Sequence, residues 1–174
     1  THLSETKQEV DDCRKAHGLS PLFYLKKLGF EKAKCIFAHG VWLSEEEIEL
    51  LSDTPSAVSI CTQSNLKLTS GIAPLMTLSQ KGANFAFGTD GVASNNDLDI
   101  LSEASFTSQL HKTINNKPQF MPAKETLARL TIHGAKALGT DEITGSLEIG
   151  KRADLLLINH RNLQSANMYD PYSH

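Results

Sequence analysis

The chain has 174 residues, 40 % of them apolar and 21 % charged, which suits one folded domain with a real core. Its net charge of −3 and pI near 6.1 give no electrostatic basis for binding nucleic acid or an anionic membrane. No apolar run approaches about 18 residues, so no transmembrane helix is expected. The three cysteines, Cys13, Cys35 and Cys61, lack metal-type spacing and point to free thiols in a reducing, cytoplasmic setting.

The chain opens Thr1-His2-Leu3, with no Met and no leading strand, and it ends without an obvious closing element. It reads as a piece of something longer. A helical pattern follows from about Glu5 to Lys15, with Val10 and Cys13 on one face and Gly18 as its stop. Ser20-Pro21 starts a second helix through Leu28, with Ser20 as cap and Pro21 in the first turn. The apolar run from Lys34 to His39 reads as a strand that ends in a polar residue and Gly40. Ser44 with Glu47 three positions on forms a capping box for the next helix, whose buried face is Ile48 and Leu51.

Ala57 to Cys61 is the next strand, followed by the polar, non-periodic stretch from Thr62 to Gly71. A short helix from Pro74 to Lys81 leads into Asn84-Phe85-Ala86-Phe87-Gly88-Thr89-Asp90-Gly91, a buried strand that turns abruptly polar. A loop from Gly91 to Asp97 caps a helix from about Leu98 to Thr113. Pro122 begins another that runs to Leu138 and stops at Gly139. Residues 145 to 158 read as a turn and two short strands. Strands alternating with helices argue for βα units in a parallel sheet.

In a parallel α/β array the carboxyl ends of all strands face one side. His2, His39 and Asp90 would then share one mouth despite their separation in sequence. Two imidazoles and a carboxylate suit a divalent metal such as Zn²⁺ with an open position for water. Glu5, three residues after His2, could lean over the same mouth as a proton carrier. Each residue also has a plainer reading. Asp90-Gly91 is a common turn pair, a lone His is usually a surface or core residue, and Glu5 suits any first helical turn. Ser64 and Asn65 read equally as turn formers, and Cys61 as a packed strand thiol. Spacing alone raises a metal site without deciding it.

Four motifs, in order, carry a resemblance: Thr1 to Thr6, Ala38 to Ser44, Ser64 to Pro74 and Gly88 to Asn96. Together they resemble the amidohydrolase superfamily, in its chlorohydrolase and nucleoside-deaminase branch. Within that branch the likeness is to the 5-methylthioadenosine/S-adenosylhomocysteine deaminases. The resemblance implies a (β/α)₈ TIM barrel holding one Zn²⁺, or another divalent metal such as Fe²⁺. His2 matches a metal-binding His after the fifth strand and Asp90 a metal-binding Asp after the eighth. His39 matches the catalytic His after the sixth, and Glu5 the Glu that contacts the base, with Asp90 also facing substrate. The family's first-strand His-x-His pair is absent. Residues 1–143 therefore resemble the second half of a barrel, and residues 144–174 the start of the return to a small β-sandwich.

Two departures stand out. Ile60 stands where a His is expected, and Trp42 where a His is often found. The implied activity is hydrolytic deamination of adenine nucleosides, a reaction at C–N bonds of cyclic amidines. Asp90 would take a proton from the attacking water, Glu5 would protonate a ring nitrogen, and His39 would stabilise the tetrahedral oxygen. The resemblance leaves room for a guanine or cytosine deaminase, a chlorotriazine hydrolase, or an inactive barrel fragment serving as scaffold. The expected partners are a small nucleoside or N-heterocycle and a first-half chain or second copy; this piece alone is expected to be inactive.

Overall fold

The computed structural model describes residues 1–159 and residue 170. Its centre is a four-stranded, all-parallel sheet in sequential order. The strands are β1 (His2–Leu3), β2 (Ile36–His39), β3 (Ala57–Ile60) and β4 (Asn84–Phe87). Register sets Leu3 beside His39, and Ile60 beside Phe87, so the carboxyl ends lie along one rim. A two-residue strand therefore stands at the start, where the sequence shows none.

The helices are α1 (Lys7–His17), α2 (Pro21–Lys27), α3 (Glu45–Ser52), α4 (Thr62–Lys67), α5 (Leu75–Lys81), α6 (Val92–Asn95), α7 (Ile100–Ile114), α8 (Ala123–Leu130) and α9 (Ile132–Leu138). The Ser44–Glu47 capping box is formed in full, a device worth about 1 kcal/mol. Ser20 has N-cap backbone geometry, but its hydroxyl donates to the buried Glu47 instead of capping α2. The core joins Phe37, Val58, Ile60 and Phe85 of the sheet to Leu22, Ile48, Leu51, Leu75 and Leu78 of the helices. Strands buried on both faces explain why β3 and β4 read as continuous apolar runs.

Several expected elements differ. The polar stretch after β3 contains α4, because tertiary hydrogen bonds replace the missing apolar periodicity. The loop after Asp90 contains α6, one turn long. The single helix expected from Pro122 to Leu138 breaks at Thr131, whose φ −119° and ψ −99° lie outside the helical region. Residues 145–158 form the turn but carry no regular strand. Arg152 N–H instead donates to Ile143 O, and Lys151 to Asp141 O. Residues 160–169 and 171–174, at the end of the segment assigned to a β-sandwich, lie outside the described residues. Among the described residues no helix is long and apolar enough to cross a membrane.

Candidate metal centre

His2 lies in β1, His39 ends β2, and Asp90 follows β4 by three residues. Parallel register brings them to the same rim. Each offers a ligand atom, and these atoms all lie within 4.8 Å of one another. The rings of His2 and His39 stack with centroids 5.1 Å apart. His39 and Asp90 both hold left-handed backbone, φ 76° and 60°, a conformation that costs a non-glycine residue roughly 1–3 kcal/mol. The surrounding structure holds both turns against that cost.

Asp90 is braced by two serines. Ser64 from α4 and Ser94 from α6 both donate to its Oδ2, at 2.7 and 2.6 Å. Burial works against its charge most strongly, but those two bonds, the Gly91 N–H and nearby His39 outweigh it and hold the carboxyl at about 2. His39 is buried, and its Nδ1 donates to Asn65 Oδ1 at 2.8 Å. Nε2 is then turned toward the rim and has no hydrogen-bond partner among the described residues. With the ring proton on Nδ1, Nε2 presents a lone pair that a cation would satisfy. The donor set and this orphan together fit a divalent metal.

Glu5 leans over the same rim as expected. One oxygen lies 3.9 Å from His39 Nε2, and the other accepts from Ser70 Oγ at 3.1 Å. Its backbone is fixed by Glu9, whose carboxylate accepts the N–H groups of Ser4 and Glu5. Thus His2, Glu5, His39 and Asp90 come together as one cluster.

The neighbours divide in role. Ile60 is fully buried in the apolar core, so the position expected to hold a His supplies packing and no polar group. Trp42 is half-exposed and its Nε1–H donates to Ser70 O, linking it through Ser70 to Glu5. Burial pushes the Cys61 thiol up to about 11, as befits a packed, inert sulfur.

Sequence reasoning missed Ser94, Asn95, Ser70 and Glu103. A signal was present for the first two. Ser64-Asn65 and Ser94-Asn95 are the same dipeptide, each shortly after a strand, and each serine reaches Asp90. Glu103 shares a helical face with Ala104, Thr107 and His111, an acid on a stripe that is buried.

Comparison with known proteins places these features in a family. The amidohydrolase family profile matches residues 1–172. The chain is 45 % identical over 172 residues to the 5-methylthioadenosine/S-adenosylhomocysteine deaminase of Thermodesulfovibrio yellowstonii, covering 99 % of this chain and 39 % of the relative. Its fold superposes on a zinc-bound adenosine deaminase from Xanthomonas campestris with TM-score 0.93 and 39 % identity, over 99 % of this chain and 39 % of that one. The zinc complex of the atrazine chlorohydrolase TrzN from Arthrobacter aurescens gives TM-score 0.91 at 26 % identity, over 99 % and 38 % of the two chains. The chain thus spans about two fifths of the length of the curated relatives it matches. With a parallel α/β sheet, a rim cluster of two histidines, an aspartate and a glutamate, and a profile match along nearly its whole length, the chain belongs to the amidohydrolase family.

Proposed function

We propose that this chain supplies the metal-holding, proton-moving side of a hydrolytic deaminase acting on adenine nucleosides of the 5-methylthioadenosine/S-adenosylhomocysteine type. The observation that carries the reading is the convergence of His2, His39 and Asp90 within 4.8 Å, with Glu5 leaning over them. The deaminases among its relatives support the substrate class. His2 and Asp90 would hold a divalent cation, Zn²⁺ or Fe²⁺, whose chemistry is to lower the pKa of a water from about 15.7 toward 7.

The chain's own groups supply the remainder. Asp90 accepts the proton of the attacking water. Asp90 then passes that proton on to the departing amine. Glu5 delivers a proton to a ring nitrogen, so that negative charge does not accumulate on the heterocycle as oxygen adds. His39, carrying a proton on Nε2 as well as on Nδ1, would donate to the developing oxygen, with its ring orientation set by Asn65. Ammonia leaves and the adenine becomes hypoxanthine. The test is a panel on the intact, zinc-loaded protein: adenosine derivatives, guanine, cytosine and a chlorotriazine. Release of ammonia from adenine nucleosides above the others supports the reading; turnover confined to another ring overturns it.

The same reading makes residues 1–143 the second half of a TIM barrel, in a cytoplasmic enzyme. The four parallel strands and the shared 39 % coverage support it. In the described residues β1 and β4 are sheet edges, and unpaired edges favour association. The 174-residue chain by itself is therefore expected to self-associate or pair with a first-half chain, and to lack deaminase activity. Sedimentation with metal analysis decides it. A well-behaved monomer holding one tight zinc and deaminating adenosine derivatives would overturn the half-barrel reading.

A further inference from the structure

The carboxylate of Glu103 is completely buried, yet it belongs to no element that carries a metal-holding residue. It sits in the first turn of α7 and reaches two other elements. One oxygen accepts the N–H of Gln63, at 3.2 Å, at the start of α4. The N–H of Thr62 also faces this carboxylate and favours its charged form. Cys61, the N-cap of α4, offers no side-chain cap, so Glu103 performs that service from a neighbouring helix. The other oxygen accepts from Asn95 Nδ2 at 3.2 Å, and the same nitrogen donates to Thr89 O at 2.7 Å. Thr89 is the residue before Asp90.

We propose that Glu103 is a positioning residue for the metal centre, holding in register the two Ser-Asn turns that orient Asp90 and His39. The inference rests on the assignment of His2 and Asp90 as metal-holding residues. Ser64 and Asn65 follow within two or three residues of the N–H groups that Glu103 binds. Ser94 adjoins the amide that it binds on the other side. The two serines can meet at Asp90 Oδ2 only if α4 and α6 keep a fixed spacing. Lys67 spans the same pair from solvent, donating to Ala93 O and Asn96 Oδ1. Glu103 is the buried tie, where hydrogen bonds to a charge are strongest. Glutamine in its place keeps the volume but turns an amide N–H₂ toward backbone N–H groups or the Asn95 amide, so a donor faces a donor.

The experiment measures Zn²⁺ affinity of the intact protein by chelator competition, beside the melting temperature of the metal-free form. Glu103→Gln is expected to weaken Zn²⁺ binding by at least about tenfold, the effect typical of losing an outer partner of a ligand. Asn95→Ala, which cuts only the Asp90 side, is expected to weaken it too and carries the test if Glu103→Gln does not fold. The double variant should bind within about twofold of Glu103→Gln, since both act through one tie. Ser20→Ala removes a buried hydrogen bond elsewhere in the fold and should lower the melting temperature without moving the affinity. Zinc binding by Glu103→Gln within about twofold of the parent, additive losses, or an equal loss in Ser20→Ala would each overturn the proposal. A parent that binds zinc but deaminates no nucleoside counts against the functional reading alone.

Discussion

Ser64 and Ser94 come from different helices and donate to the same oxygen, Oδ2 of Asp90, from 2.7 and 2.6 Å. This convergence does much to hold the carboxyl below its ordinary value of 3.8, at about 2. A carboxyl depressed in the folded state stabilises the fold above about pH 4 and loses that contribution as pH falls through about 2. Ser64→Ala and Ser94→Ala should each raise the carboxyl and shift the acid-unfolding midpoint to higher pH, with Ser94→Ala the larger. Acid titration followed by circular dichroism measures the shift, and midpoints unchanged in both variants would show that the hydroxyls do not set the charge of Asp90.

Asp90→Asn keeps the shape of the turn but removes the carboxylate proposed as proton acceptor and metal ligand. In the intact protein it should reduce turnover by at least about a hundredfold, the low end for losing a placed acid or base. Steady-state kinetics on zinc-loaded protein is the check. Activity within a few-fold of the parent would reduce Asp90 to a turn former.

His111 gives a separate pH signature. It is buried on α7 against Phe120, and neither ring nitrogen has a hydrogen-bond partner among the described residues. Burial lowers it from 6.5 to about 4. As pH falls, the unfolded chain therefore takes up a proton first. Stability is complete above about pH 6.5, declines towards pH 4 and levels off below it, by at most about 3 kcal/mol. His111→Phe, which keeps a ring, should flatten urea-derived stability between pH 4 and 6.5. A slope as steep in the variant as in the parent would assign the effect to other groups.

Arg129 lies 3.8 Å above the Phe85 ring and donates to Phe85 O and Glu125. Gly88 N–H donates to Ile60 O, so alternate residues of β4 face β3, while Phe85 presents its carbonyl to the open side. The guanidinium thus covers an edge carbonyl that would otherwise seek a strand. Arg129→Ala should cost about 2–3 kcal/mol, summing a cation–π contact and a charged hydrogen bond. Arg129→Lys should recover less than half of it, because a point charge cannot stack and fork at once. Urea denaturation of the three proteins settles the order, and an Ala variant as stable as the parent would rule the contact out as a source of stability.

The rim cluster was legible because strand ends announce themselves. Ile36 to His39 and Asn84 to Asp90 each pass from apolar to polar within a few residues, and parallel pairing does the gathering. The second layer was hidden for an equally physical reason. Glu103 acts through backbone N–H groups 40 residues away, and such bonds leave no periodicity in the sequence. They also explain why α4 forms without an apolar stripe. The break at Thr131 and the short α6 escaped for the related reason that single turns are decided by tertiary partners and not by propensity.

Trp42 is the chain's one tryptophan, and its indole N–H rests on Ser70, whose hydroxyl holds Glu5. The molecule therefore carries its own optical probe two hydrogen bonds from the carboxylate that would meet the heterocycle. A half-exposed indole responds in wavelength and intensity to its immediate polarity. Any event that draws Glu5 away from Ser70 will register in that emission, without a label and without turnover.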